Sequence, residues 1–494
     1  MNPAHWSATG QLALAFAAGG LGVLAFAPFA VAPLAVLSLA TLFFLWRHPA
    51  RDGLNLWTGY AFGLGLMGFG VFWIRISIAQ FGGATLPLAI AATLLFVLFM
   101  ALYFALAGWL SGRLGNRDSD AWVLLVVPAT WVLVEWLRGW LFTGFPWLAF
   151  GYSQIDMPLA GFAPVGGVYA VSLAVALSAA LVNLWPRVPA VVALLAIWAG
   201  GLGLQNIDWV EPAGEPLRAS LLQGNIPQEQ KWRRELREPS LQLYLDMTAS
   251  VPGSQLVIWP ETAVPAFASE VDASLLTPLH QQLSEQGRDV LLGIVDGELD
   301  GAYFNAMMSV GASGRDHYHK RHLVPFGEYL PFDAWTRPIL DFLQIPMSDF
   351  TPGGDRPPLI TLAGYPAGID ICYEDAYGNE IARALPEAAF LVNASNDAWF
   401  GDSLAPHQHL EIARMRAVET GRFLLRATNT GISAVVDQHG KLRGVAGQGE
   451  KAILTDDVTP LKGATPFVHW GNTPVVVLVL LMLVLGALRQ RVGG

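Results

Sequence analysis

Long apolar runs and short alternating runs divide the chain into two kinds of sequence. A helix needs about 17–25 mostly apolar residues to cross a bilayer, and runs of this kind fill the first 205 residues and return once near the C-terminus. They lie near 11–27, 30–46, 56–79, 86–111, 121–137, 162–185, 188–204 and 473–488. We predict a multi-span α-helical membrane domain of about eight transmembrane helices, seven within 1–205 and one at 473–488.

The first run has an alternative interpretation as a secretory signal peptide, because the small residues "AFA" at 25–27 resemble a cleavage site. No basic segment precedes it, and further apolar runs follow at once. A retained first span is therefore favoured over a cleaved leader.

Arginines at the ends of these runs predict the orientation. If the spans alternate, seven arginines fall on one side and only Arg75 and Arg138 on the other. Because basic residues stay in the cytoplasm, both termini are expected inside, and the segment between spans seven and eight outside, which in a bacterium is the periplasm. The seven are Arg47, Arg51, Arg113, Arg117, Arg187, Arg489 and Arg491.

The segment from 217 to 457 has a different pattern. Short β-rich runs such as "QLVIWPE" and "AGIDICYE" alternate with stretches of helical spacing such as "PHQHLEIARMRAVETG". Strands that alternate with helices over this length predict one α/β domain with its own core.

Composition agrees with this division. The chain is 53% hydrophobic and only 14% charged, whereas soluble proteins are about 25% charged. The net charge of −10 comes from the second half, and no basic patch with interleaved aromatics indicates nucleic-acid binding.

Three ionisable residues follow predicted strands of the α/β domain. Glu261 follows "QLVIWP", Lys320 lies in "YHKRHLVPFGEYLP", and Cys372, the only cysteine, follows "AGIDI". Each alone has an ordinary interpretation, and a lone cysteine is often a small buried apolar residue. Together they suit nucleophilic catalysis, with Glu261 as base, Cys372 as nucleophile and Lys320 stabilising the thiolate and an oxyanion.

The motifs "WPET", "KRHLVPFGEYLP" and "ICYED" resemble, in order and context, the Glu-Lys-Cys motifs of the nitrilase superfamily. With the flanking spans, and with "EWLRGWLFTGFPWLAFGYSQ" and "NASNDAWFGDS", the whole chain resembles the apolipoprotein N-acyltransferase family of bacterial inner membranes. This resemblance implies an αββα sandwich and a thioester on Cys372. It also implies a phospholipid acyl donor and an acceptor apolipoprotein with a diacylglyceryl cysteine, without a cofactor.

The resemblance implies further residues. Glu328 would hold the lysine and tune Glu261, Glu374 matches another family glutamate, and the Tyr373 N–H would help form the oxyanion hole. Trp232 matches a position near the acyl chain. We add Trp147, within the aromatic segment 139–152, as part of a hydrophobic floor for acyl chains, although an aromatic belt at the headgroups explains that segment as well.

Histidines offer a rival chemistry. His317, His319 and His322 crowd Lys320, and "HQH" occupies 407–409, but the sequence shows no cysteine or spaced carboxylate in a recognised ligand pattern with them. We expect no metal, and Glu-Lys-Cys catalysis rather than a Cys-His pair. Two other functions stay open: a membrane-anchored amidase acting on small amides, and a transporter with an external binding domain.

Overall fold

In the computed structural model, which describes residues 6–298, 301–342 and 349–492, apolar helices and β-strands form separate units. One unit comprises Met1–Arg75, Leu86–Ile207 and His469–Gly494, and the other comprises Ile76–Thr85 and Asp208–Val468. The side chains of 335, 339–342 and 489–492 are also outside the description, so those of Arg489 and Arg491 are not placed, and neither are residues 1–5 and 493–494 at the termini.

The first unit is helical. Its longer helices are Ala8–Gly22, Pro33–Arg47, Leu54–Gly70, Leu86–Arg113, Val127–Arg138, Ala163–Val182, Val188–Leu204 and Thr473–Val492. Glycines allow close approach of their backbones: a Cβ on Gly19 would lie 2.1 Å from the carbonyl oxygen of Phe62, and one on Gly59 would lie 2.2 Å from that of Phe104. This is the small-residue packing typical of membrane helices.

Helix lengths support a membrane region but not the predicted number of spans. Among the described residues, three helices are long and apolar enough to cross a membrane, namely Ala8–Ala25, Leu86–Arg113 and Pro158–Val182. The bent pair Leu54–Gly70 and Ile74–Phe81 adds a fourth if it forms one span. The apolar helices Pro33–Arg47, Val188–Leu204 and Thr473–Leu488 are shorter.

The second unit is built on two large β-sheets. Its strands are β1 Val210–Pro212, β2 Leu217–Gln223, β3 Leu256–Ile258, β4 Val264–Phe267, β5 Asp289–Gly297, β6 Tyr303–Gly311, β7 Asp316–His319, β8 Leu359–Leu362, β9 Tyr365–Ile371, β10 Phe390–Ser395, β11 Leu424–Thr428, β12 Ser433–Val436, β13 Leu442–Ala446, β14 Ala452–Val458 and β15 Leu461–Gly463. One sheet has the order β14-β2-β3-β5-β6-β7 with β4 beside β5, and the other has the order β13-β12-β11-β10-β9-β8.

The two sheets pack face to face and helices cover their outer faces. Successive residues of a strand point to opposite faces of its sheet. Leu221 of β2 lies in the buried cluster between the sheets together with Ile369 of β9. The next residue, Leu222, points the other way and packs with Tyr244 of the helix Arg234–Ala249. The helix Ala405–Thr420 contributes to a third cluster with β11 and β12. The predicted αββα sandwich is confirmed.

The unit also contains shorter or peripheral helices. These are the π-helix Ser77–Phe81, Gln228–Lys231, Ala268–Val271, the π-helix Asp272–Leu276, Thr277–Glu285, Asp333–Phe342 and Gly378–Ile381. Ser77–Phe81 belongs to this unit through Trp399, whose carbonyl accepts a hydrogen bond from the Ser77 hydroxyl at 2.7 Å and whose ring lies 5.2 Å from that of Phe81.

Candidate active site

Glu261 and Lys320 meet where two strands of one sheet end. Glu261 lies three residues after β3, and Lys320 directly follows β7. The ammonium nitrogen of Lys320 is 3.5 Å from Oε1 of Glu261 and 2.9 Å from the carboxylate of Glu328, and its side chain is only 1% exposed. Burial opposes the charge, but the carboxylates of Glu328 and Glu261 outweigh it and raise the pKa of Lys320. Lys320 is therefore a fixed cation.

Cys372 directly follows β9 of the facing sheet and is buried. Its φ of +55° lies in the left-handed region, which a residue with a side chain adopts at a cost in free energy. Burial raises the pKa of the thiol, the negative charge of Glu261 raises it further, and Lys320 lowers it. The thiol of Cys372 is therefore neutral at rest, and it would need a base in order to act as a nucleophile.

Asn305 is a site residue that the sequence did not reveal. From β6 it donates hydrogen bonds to Oε1 of Glu261 at 2.7 Å and to Oε1 of Glu328 at 3.0 Å. It thereby holds the two carboxylates on either side of Lys320, while Oε2 of Glu261 has no hydrogen-bond partner among the described residues. The only sequence signal for a role of Asn305 is that its polar amide lies within the mostly apolar run "YFNAMMSVG".

Glu374 connects the cysteine turn to the lysine segment. Its Oε2 accepts from the Ile371 N–H at 2.7 Å, and its Oε1 accepts from the N–H groups of Arg321 at 2.7 Å and His322 at 3.0 Å. The Tyr318 hydroxyl also donates to Oε1 at 2.8 Å. Burial raises the pKa of Glu374 to about 7, while Lys320 and these backbone donors act in the opposite direction.

A buried group of charges lies behind the main chain of Cys372. The two ring nitrogens of His409 are 2.9 Å from Asp397 and 3.0 Å from Asp375, and Arg426 pairs with the same two aspartates at 3.0 and 3.1 Å. All four side chains are at most 1% exposed. Burial and Arg426 oppose a charge on His409, but the aspartates outweigh them and raise its pKa to about 9.

This group also holds the carbonyl oxygen of Cys372. Nε2 of His409 lies 3.3 Å from it, and the Asn393 amide donates to it at 3.2 Å. Asn393 itself accepts from Arg426 at 2.5 Å. The contacts of His409 are thus with the main chain of Cys372 and with two aspartates, which fits a positioning role and disfavours the rival Cys-His pair.

The other histidines near Lys320 lie in two different surroundings. His322 stacks on Tyr377 with ring centroids 3.7 Å apart. Asp296 joins His317 and His319 in a group whose possible ligand atoms lie within 4.8 Å of one another, so a carboxylate that the sequence did not reveal accompanies them. Asp296 and His319 are 2.7 Å apart, so a hydrogen bond between them explains why these two side chains lie together.

The remaining predicted residues have distinct positions. Tyr373 follows Cys372, and its hydroxyl accepts a hydrogen bond from that of Tyr377 at 2.7 Å. Trp232 follows the short helix Gln228–Lys231 and is 54% exposed. Trp147 belongs to the helical unit and is 1% exposed. Substrate contacts of both tryptophans stay predictions.

Family models and full-length relatives agree on what the chain resembles. Residues 18–181 match the apolipoprotein N-acyltransferase N-terminal domain, and residues 218–465 match the carbon-nitrogen hydrolase family. Apolipoprotein N-acyltransferase of Methylococcus capsulatus is 48% identical, covering 94% of this chain and 93% of the relative. That of Nitrosomonas europaea is 44% identical with 98% of both chains covered, and that of Azotobacter vinelandii is 42% identical with 97% and 95% covered.

A solved structure is also similar at low identity. A member of branch 10 of the nitrilase superfamily from Saccharomyces cerevisiae is 19% identical, covers 50% of this chain and 91% of its own, and has a TM-score of 0.36. The assignment of a family rests on the sequence matches and not on this structure.

Proposed function

The chain belongs to the apolipoprotein N-acyltransferase family, and from this premise we propose how its buried Cys372 site transfers a fatty acyl chain. The enzyme is an acyltransferase. The acyl donor is a membrane phospholipid, and the acceptor is the N-terminal α-amine of diacylglyceryl-cysteine on an apolipoprotein. The transfer completes lipoprotein maturation.

The first half-reaction forms a thioester. Glu261 takes the thiol proton while the sulfur of Cys372 attacks the ester carbonyl of the phospholipid. The Lys320 ammonium, assisted by the Tyr373 N–H, stabilises the oxyanion. When the carbon–oxygen bond breaks, Glu261 returns the proton to the leaving lysophospholipid oxygen, so the carboxylate is regenerated.

The second half-reaction forms an amide. The α-amine attacks the thioester carbonyl, the same groups stabilise the oxyanion, Glu261 takes a proton from the amine nitrogen, and the thiol leaves with that proton. Because a thioester is a more reactive acyl compound than an amide, the transfer is favourable without ATP. Each residue therefore acts in both half-reactions, and the chemistry requires no metal or organic cofactor.

One observation carries this proposal. Lys320 is buried between Glu261 and Glu328, and the charges of Lys320 and Glu261 both act on the thiol of Cys372. Acyl transfer through a thioester needs a base, a fixed cation and a thiol. Here the cation and the thiol are buried, and Oε2 of the base Glu261 has no hydrogen-bond partner in the described part of the chain.

We also propose the topology that the arginine distribution favours: an inner-membrane protein with residues 217–457 in the periplasm and both termini in the cytoplasm. Reporter fusions after Gln205 and after Gly494 test it. The first is expected to report the periplasm and the second the cytoplasm. Equal signals from both would show that the number of spans between them is wrong.

A membrane-anchored amidase is the second candidate, because carbon-nitrogen hydrolases share the Glu-Lys-Cys chemistry. Incubation of the purified enzyme with phospholipid plus a diacylglyceryl-cysteine peptide, and separately with small amides, distinguishes the two. We expect N-acylated peptide and no release of ammonia. Ammonia release from small amides without N-acylation would overturn the proposed function.

A further inference from the structure

A second lysine lies beside the general base. Lys231 ends the short helix Gln228–Lys231, its side chain is buried, and its ammonium donates to the main-chain carbonyl of Glu261 at 2.9 Å. Among the described residues, no carboxylate oxygen lies within 4.0 Å of that ammonium. A buried cation without a close counter-ion is unusual and needs an explanation.

The two lysines have opposite electrostatic surroundings. Lys320 is held by two carboxylates and stays charged. Burial lowers the pKa of Lys231 to about 8, because it outweighs the opposing effect of the negative charges on the more distant side chains of Glu261 and Cys372. Lys231 can therefore release and take up a proton near neutral pH, which Lys320 cannot.

The proton balance of the proposed second half-reaction gives such a group a role when the acceptor amine arrives protonated. The free α-amine of a protein has a pKa of about 7.7–8.0, so much of the acceptor arrives as an ammonium. An ammonium loses two protons in becoming an amide. Glu261 takes one and returns it to the sulfur of Cys372, so the other must go to a second acceptor.

We propose that Lys231 is a second proton acceptor, used when the acceptor amine attacks the thioester. This inference rests on the proposed function. Neutral Lys231 takes the first proton from the incoming ammonium, the amine nitrogen then forms its bond to the acyl carbon, and Glu261 takes the second proton and passes it to the sulfur. Lys231 later releases its proton to solvent. Acylation by phospholipid involves no extra proton and does not need this step.

The test separates the two half-reactions in the full-length enzyme. Lys231→Arg keeps the charge and a donor but cannot lose its proton, and Lys231→Met removes the buried charge. Arg234→Met, at an exposed position on the neighbouring helix, is the matched control. Intact mass spectrometry follows acylation by phospholipid alone, and then release of the acyl group by a diacylglyceryl-cysteine peptide or by hydroxylamine, which is a neutral nucleophile at pH 7.

Both Lys231 variants are expected to be acylated by phospholipid within about threefold of the wild-type rate. Hydroxylamine should release the acyl group from both variants at the normal rate. Release by the peptide at pH 7 should fall by about tenfold, because only about one α-amine in ten is neutral at that pH, and the defect should disappear above the pKa of the acceptor amine. Equal losses in both half-reactions would show that Lys231 only holds Glu261 in place, and unimpaired peptide release would also overturn the inference. If the wild type forms no acyl-enzyme at all, the proposed function itself fails.

Discussion

The carboxylate of Glu374 accepts a hydrogen bond of 2.7 Å from the main-chain N–H of Arg321, the residue that follows Lys320. Glu374 lies two residues after Cys372, and it also accepts a hydrogen bond from the N–H of Ile371, the residue directly before Cys372. One side chain therefore fixes the distance between the proposed nucleophile and the proposed oxyanion partner, although the two come from different sheets.

Replacing Glu374 should misplace both groups at once. In Glu374→Gln, the amide NH₂ has to face a backbone N–H donor, so at least one of these contacts is lost. Because small misplacements of reacting groups cost about 10²-fold in rate, kcat is expected to fall by about that factor in both half-reactions, while KM for phospholipid changes little. Tyr318→Phe removes only the hydroxyl donor to Oε1 of Glu374, so it should lower kcat less than Glu374→Gln does. A large increase in KM with unchanged kcat would assign Glu374 to substrate binding instead.

His409 predicts a pH-dependent stability. Its pKa is raised from 6.5 to about 9, so the charged form contributes stability that is complete below pH 6.5 and is lost as the pH rises through 9. The shift corresponds to about 3 kcal/mol. Thermal unfolding of the full chain in detergent from pH 6 to 10 should show Tm falling over this window. In His409→Gln the fall should be much smaller, whereas His439→Gln, at an exposed position, should retain it. Parallel pH profiles for wild type and His409→Gln would contradict this.

Trp147 is expected to affect stability more than substrate affinity. The aromatic segment 139–152 predicts a floor for acyl chains, and on that hypothesis Trp147→Ala raises KM for phospholipid. In the structure Trp147 stacks on Phe145 at 5.9 Å and contacts Trp73 at 5.7 Å, and its carbonyl accepts from Arg138 at 2.6 Å.

Truncating a buried aromatic typically costs about 3–5 kcal/mol, so Trp147→Ala should lower Tm clearly. Trp140, which is 51% exposed in the same segment, is the matched control. Trp140→Ala should leave Tm nearly unchanged, and any effect on KM should appear there. An unchanged Tm with a raised KM in Trp147→Ala would support the original hypothesis instead.

The strand and helix pattern predicted one α/β domain, and the resemblance to the nitrilase superfamily implied the αββα sandwich. The positions of Glu261, Lys320 and Cys372 at strand ends could be predicted because motifs and strand patterns are local. Asn305 was missed because its role depends on β6 lying between β5 and β7, which the local pattern does not specify. Lys231 was missed for the same reason, since its contact with Glu261 joins residues 30 positions apart. Hydropathy located the apolar runs but not the ends of each helix, so the predicted number of spans is not confirmed.

The covalent intermediate tests the central claim most directly. Full-length enzyme incubated with phospholipid and no acceptor, then measured by intact mass spectrometry, should gain the mass of one acyl chain that hydroxylamine removes. Cys372→Ser should acylate at best slowly and then stall, because an oxygen ester is a poorer acyl donor to an amine. Cys372→Ala should gain no mass and transfer no acyl group. Transfer by Cys372→Ala at the wild-type rate would contradict the account.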